Sequence, residues 1–194
     1  DQNNVLVGDL ASNWSPDPTG RVYTVTLKDN LHWHDGKDLT ADDVVFTYRT
    51  IQNPDAKSPL LTSWRGIKIE AKDKKTVVFT LPNVLSSFPY ALTNGIVPKY
   101  YLESVPATQL RSVRFNTVAP VGSGPFRWDT IEVVGTDADS REEQIGLSAY
   151  DQYHGGQPKL DKVTVRSFRS EKAMLASFKN QELNAMSGLD SLPD

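Results

Sequence analysis

Residues 32–49, which read HWHDGKDLTADDVVFTYR, decide the local fold of this chain. Alternating residues come first, and the polar triplet Asp35-Gly36-Lys37 then predicts a turn. Thr40 stands at an N-cap position with Asp43 three residues later, which is capping-box spacing with Asp in place of the usual Glu or Gln. The segment therefore predicts a short strand, a turn and the start of a helix.

The helix that follows is predicted to be amphipathic and to cover residues 41–51. Apolar side chains recur in it at positions i, i+4 and i+7, namely at Val44, Tyr48 and Ile51. This spacing places them on one face of a helix, which we expect to pack against the core.

The composition indicates a globular protein rather than a disordered segment. Of 194 residues, 38% are hydrophobic and 23% are charged, and a chain of this length can bury a sizeable core. The net charge of −3 comes from acids and bases mixed along the chain. No run of five or more basic residues occurs, which argues against nucleic acid or an anionic membrane as a partner.

Two further absences in the sequence exclude functional classes. The chain contains no cysteine, which excludes a disulfide scaffold, a cysteine-based zinc site and a thiol nucleophile. No apolar segment approaches the about 18 residues that span a bilayer, and the first residues lack a signal-peptide pattern. Any membrane attachment is therefore expected through a lipid anchor outside this chain.

The order of the predicted elements favours an α+β fold with mixed β-sheets and flanking helices. Strands do not alternate regularly with helices, as they would in a doubly wound parallel sheet. Strands are predicted at 22–28, with Tyr23, Val25 and Leu27 on one face, at 31–34, in a hairpin at 66–82, and near 126–128, 145–149 and 163–165. Short helices are predicted near 85–93, at 99–103 after Pro98, and after Ser170. Residues 104–119 are expected to connect, with a change of unit near 117–124.

The stretch that opens this section also resembles the "F-H-D-G-x-P-L-T-A-x-D-V-V-F-S" block of the family 5 extracellular solute-binding proteins, the peptide, dipeptide and nickel receptors of ABC importers. Further blocks resemble the same family in the same order, at Leu10–Trp14 with Tyr23–Leu27, Ile96–Lys99, Pro120–Phe126 and Pro158–Val163. Residues 149–154 and 182–184 depart from the family pattern.

The resemblance implies a fragment of a two-lobed periplasmic-binding-protein fold of the type II cluster with an extra small domain. Residues 1–117 are expected to form that small domain, with its first strand missing. Residues 118–194 are expected to form part of the first lobe, and the second lobe is expected to be absent.

The function implied by the resemblance is that of a receptor without catalytic activity or cofactor. It is the substrate-binding component of an ABC importer that captures oligopeptides or dipeptides by lobe closure, as an extracellular or periplasmic protein or a cell-surface lipoprotein. The implied partners are a peptide or another small solute and the transporter permease. Because the second lobe is absent, the fragment is expected to fold but to bind peptide weakly or not at all.

The resemblance also implies candidate site residues. Side chains of the small domain line one wall of the ligand cleft, so Trp64, Phe88, Tyr90 and Asn94 are the candidate ligand contacts. The alternative is that the aromatic rings only form the core of the domain. A tight turn, and a hinge if the lobes join there, is expected at Gly122, Gly124 and Pro125, where glycine would permit unusual φ values.

Two enzymatic alternatives remain open from the residues themselves. His32 and His34 would share a face of a strand beside Asp35, and such ligands suit zinc or nickel, although the third histidine, His154, is distant in sequence. Surface imidazoles beside a turn explain the pair more simply, so no metal is predicted. Ser123 lies between two glycines, but the full G-x-S-x-G spacing is missing, and the enzyme class that competes with the receptor is a small hydrolase that uses either group.

Two other motifs have a simple structural explanation. The acidic loop at 137–139 lacks the Gly and closing Glu of an EF-hand, and a solvated turn is the better interpretation. Asp42 and Asp43 are neighbours on a helix and cannot straddle a substrate, which makes them capping residues rather than an acid–base pair. A carbohydrate-binding β module is a third class, which would require exposed and coplanar Trp and Tyr rings.

Overall fold

The computed structural model describes residue 3, residues 5–135 and residues 141–189. Its strands are β1 (Ala11–Pro16), β2 (Val22–Leu27), β3 (Lys68–Ala71), β4 (Thr76–Thr80), β5 (Phe126–Val134), β6 (Glu142–Ala149) and β7 (Lys162–Ser167). Its α-helices are α1 (Ala41–Gln52), α2 (Leu61–Trp64), α3 (Phe88–Ala91), α4 (Lys99–Leu102), α5 (Arg114–Thr117) and α6 (Glu171–Lys179), and two 3₁₀ turns lie at Pro54–Ala56 and Ala107–Gln109. The predicted α+β class is confirmed.

The chain forms two compact units. The first comprises residues 1–127 and 150–159, and the second comprises residues 128–149 and 160–194. These units differ from the predicted division at residue 117, because residues 118–127 and 150–159 pack with the first unit. The assignment of either segment to a particular lobe of a larger receptor stays a prediction.

The first unit contains a four-stranded antiparallel sheet in the order β1-β2-β4-β3. In β2 every second residue is buried, as the alternation predicted, and Val25 pairs with Trp14 on one side and Val77 on the other. The predicted hairpin at 66–82 is confirmed as β3 and β4, which pair antiparallel.

Helix α1 begins where the capping-box spacing placed its start. The Asp43 carboxylate accepts the backbone N–H of Thr40 at 2.8 Å and also the backbone N–H of Lys99 at 2.8 Å. Asp43 is only 4% exposed, so these bonds replace the hydrogen bonds to water that its carboxylate loses on burial. One residue thus caps α1 and holds the segment that leads into α4.

The core of the first unit contains a cluster of aromatic rings. Tyr48 on α1 stacks on Trp64 with 4.0 Å between ring centroids, and Phe79 meets Tyr48 edge to face at 5.6 Å. Offset and edge-on contacts are the favourable geometries for aromatic pairs. The predicted apolar stripe of α1 is therefore confirmed as its buried face, with Val44 and Tyr48 buried and Ile51 packed at the margin.

The predicted strand over residues 31–34 is wrong in extent. His32 forms a single antiparallel bridge with Asp38, because the backbone turns between Trp33 and Gly36, where the Gly36 N–H donates to the Trp33 carbonyl at 2.8 Å. The connecting segment at 104–119 contains α5 and a 3₁₀ turn, which its irregular pattern did not predict.

The second unit contains a three-stranded sheet in the order β5-β6-β7. In the β6–β7 pair, Ile145 faces Val165 and Leu147 faces Val163. Ser170 caps α6, as predicted, by accepting the Ala173 N–H at 3.2 Å. No described residue of this unit is buried, so its described part contains no buried core. The acidic loop at 137–139, with its predicted solvated turn and its calcium alternative, lies outside the described residues.

Candidate functional site

The first unit contains a half-enclosed apolar cavity of about 260 Å³. Its walls come from residues 6–11, from the inward faces of β2 and α1, and from the turn that follows α3. Pro89 of α3 lines the cavity together with Leu92 and Asn94 of that turn, and Trp14 closes another side. A concave apolar site with a few polar groups is the usual form of a small-ligand pocket.

Polar groups of the cavity are few, and two of them interact. The Asn94 side chain contacts the Tyr48 hydroxyl and also donates to the Ala91 carbonyl at 2.9 Å. Burial raises the pKa of Tyr48, which therefore stays protonated. The cavity can thus accept an apolar group, and its oriented polar atoms are neutral apart from the Asp9 carboxylate at its edge.

The structure separates the four candidate ligand contacts into three positions. Trp64 and Phe88 lie in the core with 2% and 1% of their surface exposed, and their ring centroids are 5.8 Å apart. Tyr90 is 60% exposed on α3, and Asn94 lines the cavity. Direct ligand contact by any of the four stays a prediction.

Sequence reasoning did not predict the cavity residues on other segments. Trp14 and Ile96 both line it, although both lie in family-like blocks, L-A-x-x-W and I-x-P-K. Those blocks were the available signal. The pattern of apolar and polar residues within each segment could not indicate that these segments line one cavity, because their contact depends on the packing of the whole unit.

His34 binds the segment at residues 122–125, where a tight turn is predicted. The backbone N–H of His34 donates to the Gly122 carbonyl at 2.8 Å, and the backbone N–H of Gly122 donates to Nδ1 of the His34 ring at 3.3 Å. On the other side of the ring, His34 Nε2 lies 3.0 Å from the Gly124 carbonyl. Because an amide N–H can only donate, Nδ1 is the acceptor and the proton is on Nε2.

The reason for glycine in this turn differs from the prediction. Neither Gly122 nor Gly124 has a positive φ. A Cβ on Gly122 would instead lie 3.1 Å from the His34 Cε1, whereas a Cβ on Gly124 would meet nothing within 4 Å. Glycine at 122 therefore permits the close approach of the imidazole, and unusual backbone angles do not explain either residue.

The proposed catalytic and metal-binding groups do not converge. His32 Nδ1 lies 3.3 Å from the Asp38 carboxylate, while both nitrogens of His34 are engaged by backbone. His154 Nε2 lies 2.9 Å from the Asp9 carboxylate. Within residues 5–135 and 141–189, no three His, Asp or Glu side chains are grouped to hold a metal ion. In the same residues no helix is long and apolar enough to cross a membrane.

Comparison with known proteins assigns this chain to a class of solute-binding protein. The family model for bacterial extracellular solute-binding proteins, family 5 Middle, matches residues 5–193. The chain therefore belongs to that family, and the resemblance of its sequence blocks is confirmed.

Three comparisons show the extent of the similarity. The oligopeptide-binding protein AppA of Bacillus subtilis is 34% identical over 168 residues, which cover 85% of this chain and 30% of AppA. The structure of AppA in complex with a nonapeptide is similar over 90% of this chain and 34% of that chain, with a TM-score of 0.78 and 33% identity. NikZ of Campylobacter jejuni in complex with Ni(L-His) is similar over 94% of this chain and 35% of that chain, with a TM-score of 0.80 and 28% identity.

The chain thus spans about a third of the length of these relatives, and its fold matches a fragment of the two-lobed architecture. The comparisons support neither the hydrolase nor the carbohydrate module. Trp33 and Trp64 are 0% and 2% exposed, which also argues against a platform of exposed rings for sugar.

Proposed function

We propose that this chain is part of the substrate-binding component of an ABC importer that captures oligopeptides or dipeptides outside the membrane. The observation that carries this proposal is the similarity to AppA along 90% of the chain, because AppA holds a nonapeptide. Closure of two lobes about a hinge would enclose the solute. The role is that of a receptor rather than an enzyme.

Binding through the peptide main chain would explain tolerance of many sequences. An extended peptide offers the same backbone donors and acceptors at every position, and pockets accommodate its side chains. We assign the cavity beside Asn94 to an apolar part of the solute, because its walls are apolar and its volume is about 260 Å³. Tyr90 is the second contact, since it is 60% exposed next to the cavity turn. Trp64 and Phe88 support ligand binding from the core, where their ring contact holds α3 in position.

The remaining assignments follow the family architecture. Residues 1–117 belong to the small domain and residues 118–194 to part of the first lobe, with Gly122, Gly124 and Pro125 at the turn or hinge. The complete protein docks on a transporter permease and works in the extracellular or periplasmic space, held there by a lipid anchor where the protein is a lipoprotein.

Calorimetric titration with nonapeptides tests this proposal. The 194-residue chain is expected to bind weakly or not at all, because it spans only 34% of the AppA chain. A two-lobed polypeptide that contains these residues is expected to bind with micromolar or tighter affinity. In that polypeptide, Asn94→Ala and Tyr90→Ala should each weaken binding several-fold, by about 1 kcal/mol or more.

The matched control is Tyr101→Ala, which removes a 40% exposed tyrosine from α4, away from the cavity. Its affinity should equal that of the unchanged protein. If the two-lobed polypeptide bound Ni(L-His) and had no measurable affinity for any peptide, the proposal of a peptide solute would be wrong. Micromolar peptide affinity of the 194-residue chain would contradict the expectation that half of the cleft is missing.

A further inference from the structure

His34 binds the segment that precedes the exit of the chain from the first unit. Its neighbour Trp33 binds the segment in which the chain returns to that unit. The ring of His34 engages Gly122 and Gly124, a few residues before the chain leaves the unit after residue 127. The chain re-enters at Tyr150, whose hydroxyl donates to the carbonyl of Trp33 at 3.0 Å and whose N–H donates to the Pro125 carbonyl at 2.9 Å. Outgoing and returning segments are therefore fastened to each other and to residues 33–34.

The bonds of His34 require a neutral imidazole. Nδ1 accepts the Gly122 N–H, so a proton on Nδ1 would place two donors opposite each other at 3.3 Å. The protonated ring would lose this acceptor and keep only the bond from Nε2 to Gly124. The Gly122 carbonyl also accepts the backbone N–H of His34. Both polar backbone groups of Gly122 therefore depend on the position of His34.

We propose that His34, Gly122 and Gly124 form a proton-sensitive latch, which is closed while His34 is neutral and opens when Nδ1 takes up a proton. The opened latch would free residues 122–125 and, through Pro125, loosen the contact with Tyr150. The device lies within the first unit and is independent of the identity of the solute.

The groups around the ring oppose protonation on balance. Burial lowers the pKa of His34, and the positive charge of Arg127 lowers it further. The Gly124 carbonyl and the Asp35 carboxylate act in the opposite direction, but Asp35 also accepts the Tyr100 hydroxyl at 2.7 Å and lies 3.7 Å from Lys37 Nζ. The ring of Tyr150 packs against His34 edge to face, with 4.9 Å between centroids, and stays uncharged because burial raises its pKa.

The direction of the pH effect follows from the lowered pKa. The unfolded chain takes up a proton at His34 near pH 6.5, the ordinary value, whereas the folded chain does so only at lower pH. The stabilisation by the latch is therefore complete above about pH 6.5 and is lost as the pH falls through the folded pKa.

Nuclear magnetic resonance on the ¹⁵N-labelled 194-residue chain tests the latch directly. At pH 7.5 the ring of His34 should be the Nε2–H tautomer. Between pH 7.5 and 5, the protection of the Gly122 amide against hydrogen exchange should fall about tenfold after correction for the intrinsic rate. In the opened latch His34 has its ordinary pKa near 6.5, so at pH 5 protonation favours the opened state by about that factor. The amides of β4 should keep their protection, which separates local opening from unfolding.

Two asparagine variants provide the matched comparison. His34→Asn keeps an acceptor near the position of Nδ1 but does not titrate, so the loss of Gly122 protection in acid should disappear. His32→Asn removes the histidine two residues away, and the loss should remain. An Nδ1–H tautomer at neutral pH, undiminished protection of Gly122 at pH 5, or an acid effect that persists in His34→Asn would each overturn the proposal. The tautomer and exchange measurements need only the unchanged protein, so they can overturn the proposal even if a variant does not fold.

Discussion

Several side chains in this chain form hydrogen bonds to residues that are distant in sequence. His34 engages residues about 90 positions away, at Gly122 and Gly124, and Asp43 accepts the N–H of Lys99, 56 positions away. In both residues the side chain bonds to partly buried backbone groups of a distant segment. A polar residue in such a position stabilises the structure because it replaces water at several atoms at once.

The two glycines around Ser123 give a prediction at the residue scale. Gly122→Ala should destabilise the first unit by about 1–3 kcal/mol, because the new methyl group would lie 3.1 Å from the ring of His34, which its hydrogen bonds hold in place. Gly124→Ala should change the free energy of unfolding by no more than about 1 kcal/mol, since that Cβ meets nothing within 4 Å. Urea denaturation of both variants measures the difference. Equal losses would contradict the account of the close approach.

At the scale of elements, the sheet of the first unit follows from the alternation of its strands. In β4, Val77 is fully buried and pairs with Val25, whereas its neighbour Val78 lies on the other face and is half-buried. Because successive side chains of a strand point to opposite faces, a shift of one residue in register would exchange the two.

Substitution of these neighbouring valines by threonine tests the register. Val77→Thr should cost about 1–3 kcal/mol, because it buries a hydroxyl in an apolar core. Val78→Thr has the same change in shape and a similar strand propensity, and should cost less than about 0.5 kcal/mol. Thermal unfolding followed by circular dichroism compares the two. A larger effect at Val78 would show that the strand faces are assigned the wrong way round.

At the scale of the whole molecule, the two units differ in their interiors. The first unit has a buried aromatic cluster, and the second has no buried residue among its described positions. Since burial of apolar surface is the main stabilising contribution to folding, the two units should differ in stability. Exposed apolar residues of the second unit, including Ile131, Val133 and Val165, are consistent with a sheet that lacks a partner layer.

Unfolding of the 194-residue chain should therefore occur in two steps, with the second unit first. Trp128 is the one tryptophan of the second unit, and the other three, at positions 14, 33 and 64, lie in the first. Tryptophan fluorescence during a urea titration should show an early transition that disappears in Trp128→Phe, while the later transition remains. A single transition that is the same in both proteins would contradict the difference in stability.

The sequence alone determined the elements whose signals are local. The stripe and cap of α1, the alternation of β2 and the hairpin of β3 and β4 are each specified by residues a few positions apart, and the structure confirms them. Ser170 also caps its helix as expected. The family blocks are equally local, which is why membership of the solute-binding family could be predicted from them.

Only the tertiary structure decided which distant residues meet. It placed Trp64 and Phe88 in the core, and it brought Asn94 to a cavity shared with Trp14. It also replaced the expected strand at His34 with a turn that presents the imidazole to Gly122. The physical reason is that the periodicity of a segment shows only which face of a helix or strand is apolar. The partner of that face depends on how the whole unit packs. No local pattern in the sequence encodes which two distant segments approach each other.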